Sequence, residues 1–117
     1  MCFCESIVSS TDAVVVYVTA PQAEAPELAR TLVERHLVAC VNLVPAVRSF
    51  YNWQGQVHDD PEALLIIKTT EDGFEALRAA VVELHSYDVP EVISVPVTHG
   101  HAPYLSWIRD SLRDRTP

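Results

Sequence analysis

Residues 38–53, "VACVNLVPAVRSFYNW", constrain this chain more than any other stretch. They are rich in β-branched and aromatic types and read as extended backbone, interrupted at Pro45. At ~3.3 Å per residue such a run would reach ~50 Å. A compact domain of about this size has a radius of gyration of only ~13 Å, and the whole chain has 117 residues. One end of the strand must therefore project, carrying Phe50, Tyr51 and Trp53, and a projecting edge invites pairing with a neighbour.

The segments around it alternate in type. "AVVVYV" (13–18) is an apolar run of strand length. From about Pro26 a helix follows, with Leu28, Leu32, Val33 and Leu37 on one face. After the long strand, "WQGQ" turns the chain at Gly55 into a second hairpin arm, "ALLIIKT" (63–69). Thr69 and Asp72 read as start signals for a helix that aligns Phe74, Leu77, Val81 and Leu84. "DVPE" ends it, "VISVPV" (92–97) forms a fourth strand, and a short third helix, "YLSWIRDSL" (104–112), closes the chain.

This order predicts an α+β fold, a ferredoxin-like βαββαβ sandwich with an extra C-terminal helix. Residues 1–12 read as a loose tail and 13–117 as the domain. Proline supports the topology, because it cannot donate to a sheet ladder and is confined to edges. Pro45 and Pro96 lie in the second and fourth strands, the edges of a 4-1-3-2 sheet. The strands are nevertheless apolar on both faces, whereas helices on one side need only one. A second subunit is expected to cover the other face, making an obligate oligomer.

Charge and cysteine usage exclude several classes of function. Sixteen acidic and eight basic residues give a net charge of −8, which repels phosphate backbones, so no nucleic-acid partner is expected. No apolar run approaches the ~20 residues that span a bilayer, so no membrane partner is expected either. Three cysteines without a disulfide-like pattern suggest a reducing, cytoplasmic setting. Only three glycines occur, which removes most nucleotide-loop signatures, and no triad is recognisable. The chain is not expected to be an enzyme.

Cys40 is a packing residue, a soft-metal ligand or, with least support, a nucleophile. His85 ends the second helix near Asp88 and Glu91, a place the helix dipole favours for histidine in any case. His99 and His101 have a spacing that can chelate, but equally suit a solvated loop or a subunit contact. Cys2 and Cys4 lie in the tail. Tyr51, Trp53, Glu62, Lys68, Tyr87, Glu91 and Trp107 form the last group, either interface anchors or the walls of a small-ligand cleft. Lys68 is the only lysine, and its place at the end of an apolar strand suggests pairing with a carboxylate or an anion.

"ACVNLVPAVRSFYNWQGQV", "LLIIKTTED", "LHSYDVPEVISVPVTHG" and "YLSWI" together resemble the CutA family of divalent-cation tolerance proteins, from about Val14 to Leu112. The resemblance implies a homotrimer assembled by inter-subunit strand pairing, like the PII signalling proteins, and tolerance of copper and other divalent cations. It also implies a copper site of one cysteine and a His-His pair in some bacterial relatives. Those positions are Val18, Leu84 and His85 here, and Ser86 replaces the usual proline, so only His85 is kept. The leading expectation is thus a trimeric cation-tolerance protein with weak binding of copper or another divalent metal at His85, which the resemblance keeps, or at Cys40, a candidate on its own thiol chemistry. The competing reading is a PII-like sensor holding a small anionic ligand in inter-subunit clefts. A third, an enzyme using Cys40, His85 and Asp88, has least support.

Overall fold

The computed structural model describes residues 11–113. The elements run β1 (Ala13–Ala20), α1 (Ala25–Glu34), β2 (Cys40–Trp53), β3 (Gln56–Thr70), α2 (Phe74–Leu84), β4 (Ile93–Pro96) and α3 (Ala102–Arg113). One antiparallel sheet has the order β2-β3-β1-β4, so the proline-bearing strands are the two edges. Among the described residues no helix is long and apolar enough to cross a membrane. Cys2 and Cys4 lie outside the described residues. Thr11 and Asp12 are tied to the domain: the Thr11 hydroxyl bonds the Val97 carbonyl, and the Asp12 carbonyl accepts the Glu71 N–H at 2.8 Å.

Strand pairing sorts the side chains onto two faces. Val14, Val16 and Val18 of β1 pair with Thr69, Ile67 and Leu65 of β3, and all of these are buried. Leu28 and Leu32 of α1 and Leu77 and Val81 of α2 complete this core. The opposite face carries Val15 and Tyr17 of β1, Leu64, Ile66 and Lys68 of β3, and Ile93 and Val95 of β4. Ile93 and Val95 are exposed. The third helix is not short; its 12 residues exceed the 10 of α1 and the 11 of α2. It packs on β3 and β1, with Ile108 and Leu112 buried. Its Tyr104 lies beside Cys40, at one end of the second face, so much of that face stays open.

Local chemistry explains the element ends. Helix α1 stops where His36 adopts φ 58°, with His36 N–H bonded to Val33 O and Leu37 N–H to Leu32 O, a left-handed cap that satisfies the last carbonyls. Thr69 and Asp72 do not start α2 as expected. Thr70 Oγ1 accepts the Gly73 N–H at 3.1 Å, while the buried Thr69 hydroxyl donates to Leu37 O. Gly73 lets α3 pack closely, because a Cβ there would lie 2.8 Å from Leu112 Cδ2 and push that side chain aside. The β2–β3 turn is Gln54–Gly55, both at positive φ (52° and 81°), a two-residue hairpin geometry.

The third strand is longer than its apolar stretch: β3 begins at Gln56, not Ala63. Its polar half pairs with Val47–Trp53 to form an arm. The arm raises the radius of gyration to 15.6 Å and stretches the molecule to 48 × 40 × 21 Å. Pro45 does not end β2 but sits in a bulge, since Val44 pairs with Leu64 whereas Val47 pairs with Glu62. Three steps along β2 match two along β3. The extra residue reverses which side chains face which way.

Candidate functional site

The bulge builds the site. Before it, Cys40, Asn42 and Val44 share the open face with Lys68, Ile66 and Leu64. After it, Ser49, Tyr51 and Trp53 occupy that face, opposite Asp60, His58 and Gln56. The arm thus presents phenol, indole and hydroxyl beside two carboxylates, Asp60 and Glu62. The segment after α2 closes the other side of a cavity of about 830 Å³ with Tyr87, Asp88, Val89 and Glu91, and Thr19 lies on its floor.

Hydrogen bonds hold the walls. Ser49 Oγ donates to Glu62 Oε1 at 2.6 Å, and Tyr87 Oη donates to Glu62 Oε2 at 2.8 Å. Tyr51 Oη donates to Asp60 Oδ2 at 2.5 Å, and its ring stacks on His58 with centroids 5.2 Å apart. Glu91 accepts from Thr19 Oγ1 at 3.5 Å. Glu62 is only 8% exposed, and no cation among the described residues pairs with it or with Asp60.

The phenols report this charge. Burial, the hydrogen bond to Glu62, and the charges of Glu62, Tyr51 and Asp60 together push Tyr87 up to about 12. Tyr51 is also raised, chiefly by its hydrogen bond to Asp60.

His85 supports the cleft from behind. Its Nδ1 accepts the Tyr87 backbone N–H at 3.1 Å, which places the ring proton on Nε2, 2.8 Å from the Thr19 carbonyl. The ring packs against Tyr87 with centroids 4.6 Å apart. Both nitrogens are engaged and the residue is buried, so His85 positions the loop and has no lone pair free for a metal.

Cys40 is elsewhere. It pairs with Lys68, which pairs with Val15, whereas His85 reaches Thr19. Four residues of β1, ~13 Å, separate the two expected metal ligands. Among the described residues, no three His, Cys, Asp or Glu side chains are grouped to hold a metal ion, and His99 and His101 are exposed at the start of α3. This side-chain set does not fit a copper chelate.

The residues expected to share one cleft divide in two. Tyr51, Trp53, Glu62, Tyr87 and Glu91 come together. Lys68 lies six residues from Glu62 along β3, ~20 Å away, where Nζ bonds the Asn42 side-chain oxygen and no carboxylate pairs with it among the described residues. Trp107 stacks on Tyr104 of α3, with centroids 5.5 Å apart. Ser49, which lines the site, and Asp60, which holds the Tyr51 hydroxyl, were not anticipated. Their signal is the period-two series 60-58-56 opposite 49-51-53, legible only once β3 is known to extend to Gln56.

Residues 14–111 match the family of the CutA1 divalent ion tolerance protein. The chain belongs to this family. It is 46% identical over 98 residues to the divalent-cation tolerance protein CutA of Thermus thermophilus, covering 83% of this chain and 95% of that one. Against the chloroplastic protein CutA of Arabidopsis thaliana it is 49% identical over 102 residues, 86% of this chain. It spans little more than half of that relative, 56% of its length. The structure of the PII-like protein CutA from Nostoc sp. PCC 7120 in apo form superposes with a TM-score of 0.81 at 33% identity, covering 85% of this chain and 96% of that one. The chain is thus a CutA1-family member of α+β architecture, akin to a PII-like fold, and the family is described by cation tolerance rather than by a reaction.

Proposed function

We propose that this chain serves divalent-cation tolerance as a self-associating, non-catalytic, PII-like protein whose cleft between the β2–β3 arm and residues 85–91 binds a positively charged ligand. One observation carries this reading: Glu62, a buried carboxylate, is held only by the neutral hydroxyls of Ser49 and Tyr87 and opens onto an acidic cavity. An unpaired buried carboxylate is costly, and a cation in the cavity offsets that cost. The net charge of −8 draws cations towards it.

Self-association is supported by the open sheet face and by the arm, where Phe50 and Trp53 are more than half exposed. Three subunits is the number the family resemblance implies. The setting is cytoplasmic, where Cys40 stays a free thiol. Copper at Cys40 or His85 has less support within one chain, because His85 has spent both nitrogens. An anionic ligand has one feature in its favour, the carboxylate-free Lys68, but that lysine lies outside the cleft.

A thermal-shift screen of matched cationic and anionic metabolites tests the reading, with Glu62→Gln as control. Stabilisation by cations that the variant abolishes is the expected result. Silence throughout, or a response indifferent to Glu62, overturns it. Sedimentation velocity is expected to show an oligomer, and a stable monomer contradicts the self-association.

A further inference from the structure

The charge of the cleft's ligand follows from its carboxylates, and its chemical class follows from what stands between them. We infer that the cleft recognises a small organic cation bearing primary ammonium groups, a diamine or polyamine, rather than a bare metal ion. This rests on the cation-binding reading above and makes it more specific.

Three observations converge. The cavity, about 830 Å³, is far larger than one ion and its water needs, and it has the size of a small-molecule site. Its apolar walls are aromatic, with Tyr51, Trp53 and Tyr87 on the rim, and aromatic faces attract organic cations. Its carboxylates do not converge on a point. Glu62 lies on the arm, with Asp60 behind it holding Tyr51, and Asp88 and Glu91 lie on the facing segment, and no metal-like cluster forms among the described residues. A divalent metal needs several oxygens at one centre. A chain with ammonium groups at both ends instead needs carboxylates on opposite walls and an apolar middle.

The hydrogen-bond inventory agrees. A carboxylate accepts at about four lone-pair sites. Glu62 uses one site on each oxygen, for Ser49 and Tyr87, which fixes its orientation and leaves acceptor capacity. An ammonium offers three donors and no acceptor, the complement of this wall. The Tyr51 and Tyr87 hydroxyls already give their protons to carboxylates, so they too face a ligand as acceptors. Both phenol protons, which an anion would otherwise meet, are thus committed.

Isothermal titration of the full chain with putrescine and, separately, with Mn²⁺ tests this, with 1,4-butanediol as the uncharged control. Putrescine is expected to bind, the diol not to bind, and Glu62→Gln to weaken putrescine roughly tenfold or more. Glu91→Gln and Tyr51→Leu, at exposed positions, are expected to weaken it as well, and they keep the test decisive if Glu62→Gln folds poorly. Binding of Mn²⁺ alone, lost in Glu62→Gln, overturns the ammonium assignment but leaves the cation cleft standing. Silence from both ligands overturns both. Putrescine binding unchanged in all three variants marks diffuse attraction to an acidic surface, and overturns the assignment.

Discussion

The open face of the sheet has two ends of opposite character. At one, Glu62, Asp88 and Glu91 gather with Tyr51 and Tyr87 around a cavity lined by no cationic side chain among the described residues. At the other, Lys68 leans on Asn42 beside Cys40, with Tyr104 and Trp107 of α3 close by. Both ends belong to β3, on the same face, six residues apart. Had they met, Lys68 and Glu62 would have neutralised each other. Keeping them ~20 Å apart leaves an unsatisfied charge at each end, far beyond a Debye length of about 8 Å. That separation leaves Glu62 open to the proposed cation instead of tying it up in an ion pair within the chain.

Deleting Ala46 is the most drastic way to break this contrast. The bulge alone puts Ser49, Tyr51 and Trp53 on the cleft face, so removing its extra residue turns all three to the other side. Cation binding is expected to vanish, while the Cys40–Lys68 pairing before the bulge persists. Amide exchange across β2 reads the two halves separately; a cleft that survives the deletion contradicts the register argument.

Leu65→Ala attacks both ends together. Leu65 is fully buried beneath the sheet between them, and its truncation is expected to cost about 2–5 kcal/mol by denaturant unfolding. A loss under about 1 kcal/mol would mean that the two-helix face is not the core.

Glu62→Gln sharpens the contrast without breaking the fold. Losing charge-assisted bonds from Ser49 and Tyr87 is offset by relief of an unpaired buried charge, so stability should change by about 1 kcal/mol or less. A loss of about 3 kcal/mol or more would reassign Glu62 from ligand binding to structure. At the far end, Lys68→Met removes one hydrogen bond to Asn42 and should cost still less.

The Tyr87 phenol gives the smallest effect, and one specific to the acidic end. Its folded value of about 12 exceeds its ordinary 10.0, so the neutral form favours folding. That stabilisation is complete below about pH 10 and is lost as pH rises through about 12. Phenolate absorbance should show a tyrosine titrating near 12, and Glu62→Gln should bring it down only part of the way, because burial is the larger cause. An ordinary titration in the native protein would contradict the packing of Tyr87 on Glu62.

Much of this architecture could be read directly. The two prolines marked the edge strands, Gly55 marked the hairpin, and the unbroken apolar runs marked β1 and the inner half of β3. The outer half of β3, "QVHDDPE", is polar and holds Pro61, so it resembles a loop; pairing along the arm makes it a strand. Five of the seven residues grouped as a cleft do meet, whereas Lys68 and Trp107 do not, because side-chain type carries no information about which end of a strand a residue occupies. His85 resembled a ligand because its two backbone bonds, to Thr19 and Tyr87, depend on tertiary geometry alone.

Amide NMR mapping of the full chain against putrescine and against an equal concentration of citrate tests the central claim most directly. The account predicts that putrescine perturbs the amides of 49–51, 60–62 and 87–91 and spares those of 40–42, 68 and 104. Perturbations confined to the Cys40–Lys68 end, brought about by citrate while putrescine leaves the arm untouched, would contradict it.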